Sequence, residues 1–145
     1  MRVAITGASG FVGRHVLHSL QSKDVDTVVA ARSFENSAFK YPKMNLVPID
    51  IASNMRDPFV LLGEPDVLIH LAWGGLPNYQ SRAHVEAELP AQMRFLDSCL
   101  ASGLKTLVVT GTCFEYGLVR GQISEDVPAN PCSQYGAAKD ALRKH

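Results

Sequence analysis

Short apolar runs recur along the chain: "RVAIT" (2–6), "TVVAA" (27–31), "LVPI" (46–49), "VLIHLA" (67–72) and "TLVVT" (106–110). They are rich in Val, Ile and Leu and hardly alternate, which predicts strands buried on both faces, as in a parallel sheet. Helical patterns lie between them. Over 11–22, Val12, Val16, Leu17 and Leu20 fall on one stripe. Residues 83–101 predict a long helix that Pro90 either kinks or opens, and Gly103 closes it. "SQYGAAKDALRKH" (133–145) reads as a helix that begins and is not stopped. Strand alternating with helix implies βαβ units with right-handed crossovers. There is no internal repeat and no linker, so 1–145 reads as one α/β domain.

Composition narrows the function classes. The chain has 145 residues, 46% of them hydrophobic, with 14 basic and 14 acidic side chains. That balance speaks against a nucleic-acid or membrane-surface partner. No apolar run approaches the ~18 residues of a membrane span. The N-terminus enters a strand after one Arg, without the apolar region of a signal peptide. Cys99, Cys113 and Cys132 are odd in number and form no CxxC, which predicts reduced thiols in a cytoplasmic protein. Cys113 is read as a buried neutral thiol. Five scattered histidines lack metal-ligand spacing, so no metal is expected. His15 and His18 are read as surface residues and His70 as a core histidine.

Candidate chemistry begins at "TGASGFVG" (6–13). In a strand–turn–helix, Gly7 would make the sharp turn, Gly10 would let the backbone approach a pyrophosphate, and Gly13 would let the helix pack near the strand. The free N–H groups and positive dipole end of residues 11–14 would face the phosphates. At the end of the second strand, an acid favours NAD and a base favours NADP. Arg32 stands there, followed by Ser33, and its planar fork of donors suits a phosphate. Arg14 could reach the same phosphate, and Glu35 sits late for a ribose contact. In "QYGAAKD", Tyr135 and Lys139 are four apart and share a helix face. An ammonium there would lower the tyrosine pKa and equip it for proton exchange with an alcohol or ketone. Thr110 and Thr112 follow the fifth strand, where a hydroxyl could bond the reacting oxygen. Tyr116 reads as structural or as bordering the substrate.

These stretches, with "DI" (50–51), "HLAW" (70–73) and "SEDVPANPCSQYGAAK" (124–139), resemble the extended short-chain dehydrogenase/reductases that act on nucleotide sugars. The resemblance covers essentially the whole chain. It implies a Rossmann-type doubly wound parallel sheet in the order 3-2-1-4-5, cut before the last strands and a C-terminal substrate domain. It implies that Gly7, Gly10 and Gly13 line the pyrophosphate, that Ser9, Phe11, Val12 and Arg14 are further cofactor-binding residues, and that Arg32 selects NADP(H) over NAD(H). Asp50 and Ile51 would contact the adenine, and Leu71, Ala72 and Trp73 the nicotinamide ribose. Thr110 would border the cofactor. Thr112 would be the catalytic hydroxyl, Tyr135 the proton donor or acceptor, and Lys139 the ribose ligand that tunes Tyr135. Two positions depart from the family pattern. Glu88 stands where an asparagine is usual, and Trp73 replaces a small residue. Trp73 would narrow the nicotinamide site, stack on substrate or pack in the core. "GTCFEYG" (111–117) is most similar to reductases of 4-keto-6-deoxy nucleotide sugars that supply bacterial surface polysaccharide. A 4-epimerase or dehydratase using bound NAD, and a non-catalytic NADP module, are the alternatives. A homodimer is implied for the full-length protein.

Overall fold

The computed structural model describes residues 1–34 and 44–145. Five parallel strands, β1 (Arg2–Thr6), β2 (Asp26–Ala31), β3 (Asn45–Pro48), β4 (Val67–His70) and β5 (Thr106–Val109), form one sheet in the order β3-β2-β1-β4-β5. The α-helices are α1 (Phe11–Gln21), α2 (Pro58–Leu61), α3 (Leu89–Ala101) and α4 (Gln134–Lys144). The chain divides into two compact units: Met1–Ala72 with Phe95–Val109, and Trp73–Arg94 with Thr110–His145.

The first unit holds the sheet. Val3, Ile5 and Val29 pack with Ala8 and Leu17 of the following turn and α1, and Val16 and Leu20 join them. Ala4, Val28 and Leu68, one residue out of phase, are buried as well. Both faces of the central strands are therefore covered, which is why β1 and β2 show no alternation. The edge strands differ from the expectation of full burial. Leu46 of β3 is 44% exposed and Val108 of β5 is 48% exposed. An apolar run records what a strand can bury, and the sheet's borders offer it fewer neighbours.

Two local features shape the loops. β4 stops at His70, so Leu71 and Ala72 leave the strand two residues earlier than the apolar run predicts. The short α2 has no counterpart in the periodicity. Asp57 caps it by accepting from the Val60 N–H at 3.2 Å, and Pro58 fills its first turn.

In the second unit, a π-helical turn (His84–Glu88) leads into α3. The Leu89 N–H donates to the His84 carbonyl, five residues back. Pro90, which has no N–H to donate, falls in the first turn of α3. The long helix expected over 83–101 forms, with the wider turn where the proline enters. A 3-10 turn (Cys113–Tyr116) precedes α4. Ser133 caps α4, accepting from the Gly136 N–H at 3.0 Å, and the Tyr79 carbonyl takes the Tyr135 N–H at 3.0 Å.

Candidate active site

In the first unit, parallel strands send every following loop out at one edge; Gly7, Ser9, Gly10, Arg32, Asp50, Ile51, Leu71 and Ala72 lie on those loops, and Phe11, Val12, Gly13 and Arg14 open α1. Gly7 has φ +70°, a conformation L side chains rarely adopt, and a Cβ there would lie 2.6 Å from the Ala72 nitrogen. Gly13 is buried, and its Cβ would run into the Gly7 carbonyl and the Ala8 backbone. These are the sharp turn and the close helix–strand approach expected from the spacing. Gly10 is the N-cap of α1. No side chain caps this end and no acid occupies its first turn. Ser9, Phe11, Val12 and Arg14 are exposed around it. The Arg14 guanidinium lies 4.9 Å from the centroid of the Phe11 ring. A glycine turn with uncapped amides and a basic rim fits a pyrophosphate.

Arg32 and Ser33 are exposed directly after β2, and Glu35 lies outside the described residues. Asp50 follows β3 and closes a turn, its Oδ1 accepting from the Ala52 N–H at 3.1 Å, with Ile51 half-buried beside it. Leu71 is tied to β1 by its N–H to the Thr6 carbonyl, 3.2 Å. His70 is a core histidine, buried with Nδ1 2.9 Å from the Thr6 hydroxyl. His15 and His18 are exposed. Burial and the charge of Asp57 push the Cys99 thiol up to about 12, so it is chemically quiet.

The second unit gathers Thr112, Tyr135, Lys139 and Trp73. Tyr135 is buried, ringed by Trp73, Tyr79, His84 and Phe114 at centroid distances of 5.9, 5.6, 5.4 and 5.9 Å. Burial raises its pKa. The hydrogen bond to Thr112 pulls the other way and does not reverse the shift. The lowering expected from a lysine neighbour is therefore absent: desolvation of a phenolate outweighs what favours it. Lys139 is buried too, and burial lowers its pKa. Its ammonium lies 4.7 Å from the Trp73 ring centroid. Trp73 is thus placed against the lysine and tyrosine.

Thr112 serves two purposes. It caps the 3-10 turn, accepting from the Phe114 N–H at 3.4 Å, and its hydroxyl favours the phenolate form of Tyr135. Glu115 completes the cap, its Oε1 taking the Thr112 N–H at 2.7 Å while Oε2 accepts from Arg143 Nε at 3.2 Å. Sequence reasoning missed Glu115, although Thr112-x-x-Glu115 is a readable capping box. His84 and Tyr79 carried no such signal. Glu88 accepts from the Gly74 N–H at 2.8 Å and from Gln92 Nε2 at 2.6 Å. Thr110 and Tyr116 are half-buried. Cys113 is exposed, which corrects the expected burial: it opens a turn whose inward positions are taken by Thr112 and Glu115. Among the described residues no three His, Cys, Asp or Glu are placed to hold a metal, and no helix is long and apolar enough to cross a membrane.

A parallel 3-2-1-4-5 sheet, a glycine turn at its switch point and a Tyr-x-x-x-Lys helix define a dinucleotide-dependent class of α/β proteins. The chain belongs to the NAD dependent epimerase/dehydratase family, whose model matches residues 3–144. It is 31% identical to the dTDP-6-deoxy-L-talose 4-dehydrogenase (NAD(+)) of Aggregatibacter actinomycetemcomitans, over 99% of this chain and 53% of that protein. Identity to the UDP-glucose 4-epimerase of Azospirillum brasilense is 28%, over 95% of this chain and 41% of that one. Among solved structures, MoeE5 in complex with UDP-glucose and NAD superposes with a TM-score of 0.79 at 25% identity, covering 99% of this chain and 47% of its own. The chain spans about half the length of the relatives it matches.

Proposed function

We propose that this chain carries the dinucleotide-binding and proton-transferring part of an oxidoreductase that interconverts the 4-keto and 4-hydroxyl groups of a 6-deoxy nucleotide sugar. The observation that carries this reading is the buried Tyr135 phenol, enclosed by aromatic rings, with Lys139 buried one turn later on the same helix. A phenol whose pKa is raised holds its proton at neutral pH. It is therefore a donor to a carbonyl oxygen, as reduction requires. The Thr112 hydroxyl would bond the same oxygen and stabilise charge as it develops. The Lys139 ammonium would bind ribose hydroxyls. The Gly7–Gly13 turn and the α1 amides would hold the pyrophosphate, with Arg14 at its rim. When bound, the nicotinamide would supply the hydride in reduction and accept it in oxidation.

The relatives whose names specify a dinucleotide name NAD, and NAD(H) is the first reading. Arg32 favours a second, NADP(H), because a guanidinium suits a 2′-phosphate. Calorimetric titration with NADH and with NADPH tests both, and binding of neither would sink the cofactor reading. Arg32→Asp should weaken NADPH far more than NADH. Tyr135→Phe should cut 4-keto reduction about 100-fold or more and leave dinucleotide affinity unchanged. A near-normal rate would remove Tyr135 from its role. Release of a 4-epimer without added dinucleotide would replace the reductase with an epimerase.

A further inference from the structure

Trp73 is held by its indole and by the backbone beside it. Its Nε1–H donates to Nδ1 of the buried His84 at 3.1 Å, and the N–H of the next residue, Gly74, donates to Glu88 Oε1 at 2.8 Å. An indole can only donate, so Nδ1 of His84 accepts and Nε2 carries the proton, which it gives to the Asn78 carbonyl at 2.9 Å. Gln92, also buried, donates to the Glu88 oxygen that holds Gly74. So fixed, the indole meets Tyr135 edge-on and presents its ring to the Lys139 ammonium at 4.7 Å.

Lys139 is 4% exposed, so its charge has left most of its water. The groups that bear on it are Glu115, whose carboxylate favours the charge, Tyr135 one turn earlier on α4, and Trp73 with His84 bonded to it. Glu115 already spends both oxygens on Thr112 and Arg143. An aromatic face is the partner suited to a cation that is short of water.

We propose that Trp73 is a positioning residue, whose pinned indole face holds the Lys139 ammonium in place for ribose binding and for Tyr135. The role in ribose binding rests on the function proposed above, whereas the placement of the ammonium does not. The test therefore reads the ammonium and not turnover. In the 145-residue chain with labelled lysines, the Lys139 ε-methylene should resonate upfield of the other lysines through the indole ring current. Trp73→Leu should lower the Lys139 titration midpoint by about 0.5–1.5 pH units, the loss of one desolvated cation–π contact. Trp73→Phe keeps a face and loses the His84 bond, so its midpoint should fall less. A folded Trp73→Leu chain with an unchanged Lys139 midpoint would overturn the proposal. So would an unshifted ε-methylene in the unmodified protein, which decides the matter even if the leucine variant does not fold.

Discussion

Replacing Gly13 by alanine sets helix propensity against packing. In an exposed helix interior, Gly→Ala adds about 1 kcal/mol of stability. Here the new Cβ would lie 2.5 Å from Ala8 Cα, against an ordinary contact of 3.4–4 Å. The shortfall is about 1 Å. The atoms in the way are backbone, including the Gly7 carbonyl, so no flexible side chain can yield. The start of α1 must shift off the β1 turn, and the shift passes to Leu17, which is fully buried against Val3, Ile5 and Val29. Overpacking of this kind costs about 1–3 kcal/mol, and rigid neighbours place Gly13 at the upper end. The net expectation is a loss of about 1–2 kcal/mol despite the better helix former. In urea unfolding of the 145-residue chain, with a slope near 2 kcal/mol per molar, that lowers the midpoint by about 0.5–1 M. Ser19→Ala, at an exposed position of α1, should instead raise it slightly. A Gly13→Ala midpoint equal to or above that of the parent would refute the close-approach argument.

Glu115→Ala should destabilise the chain by about 2–3 kcal/mol, since it strips the Thr112 amide and Arg143 of their buried acceptor; thermal unfolding measures it. Lys139→Met removes a buried cation and should stabilise by about 1 kcal/mol at pH 7. Because burial lowers the folded-state pKa of Lys139, the native protein binds fewer protons than the unfolded one between that value and 10.5. Parent stability therefore rises relative to the variant across that window, and the gap should narrow as pH climbs; a constant gap would contradict the sign. Asp140 runs the other way: bonds from Lys144 and Arg143 lower its pKa, so its contribution is present above pH 3.8 and is lost on acidification. Asp140→Asn should flatten the acid limb of the unfolding curve.

The sequence by itself determined the strand set, their parallel arrangement, the glycine turn and the pairing of Tyr135 with Lys139. Each of these is local. A strand buried on both faces must be apolar throughout, a turn at φ +70° needs Gly7, and a four-residue spacing fixes a shared helix face. Only the tertiary structure decided the electrostatics of the tyrosine. Its four aromatic neighbours come from residues 73, 79, 84 and 114, and the desolvation they impose outweighs any charge that spacing could predict. The roles of Trp73 and His84 were hidden for the same reason. A hydrogen bond between an indole and an imidazole leaves no periodic trace, and it exists only because the loop after Ala72 returns its side chains to the start of the π-helical turn. Exposure of β3 and β5 was equally out of reach, because residue type tells what a strand can bury and its place in the sheet tells what is there to bury it.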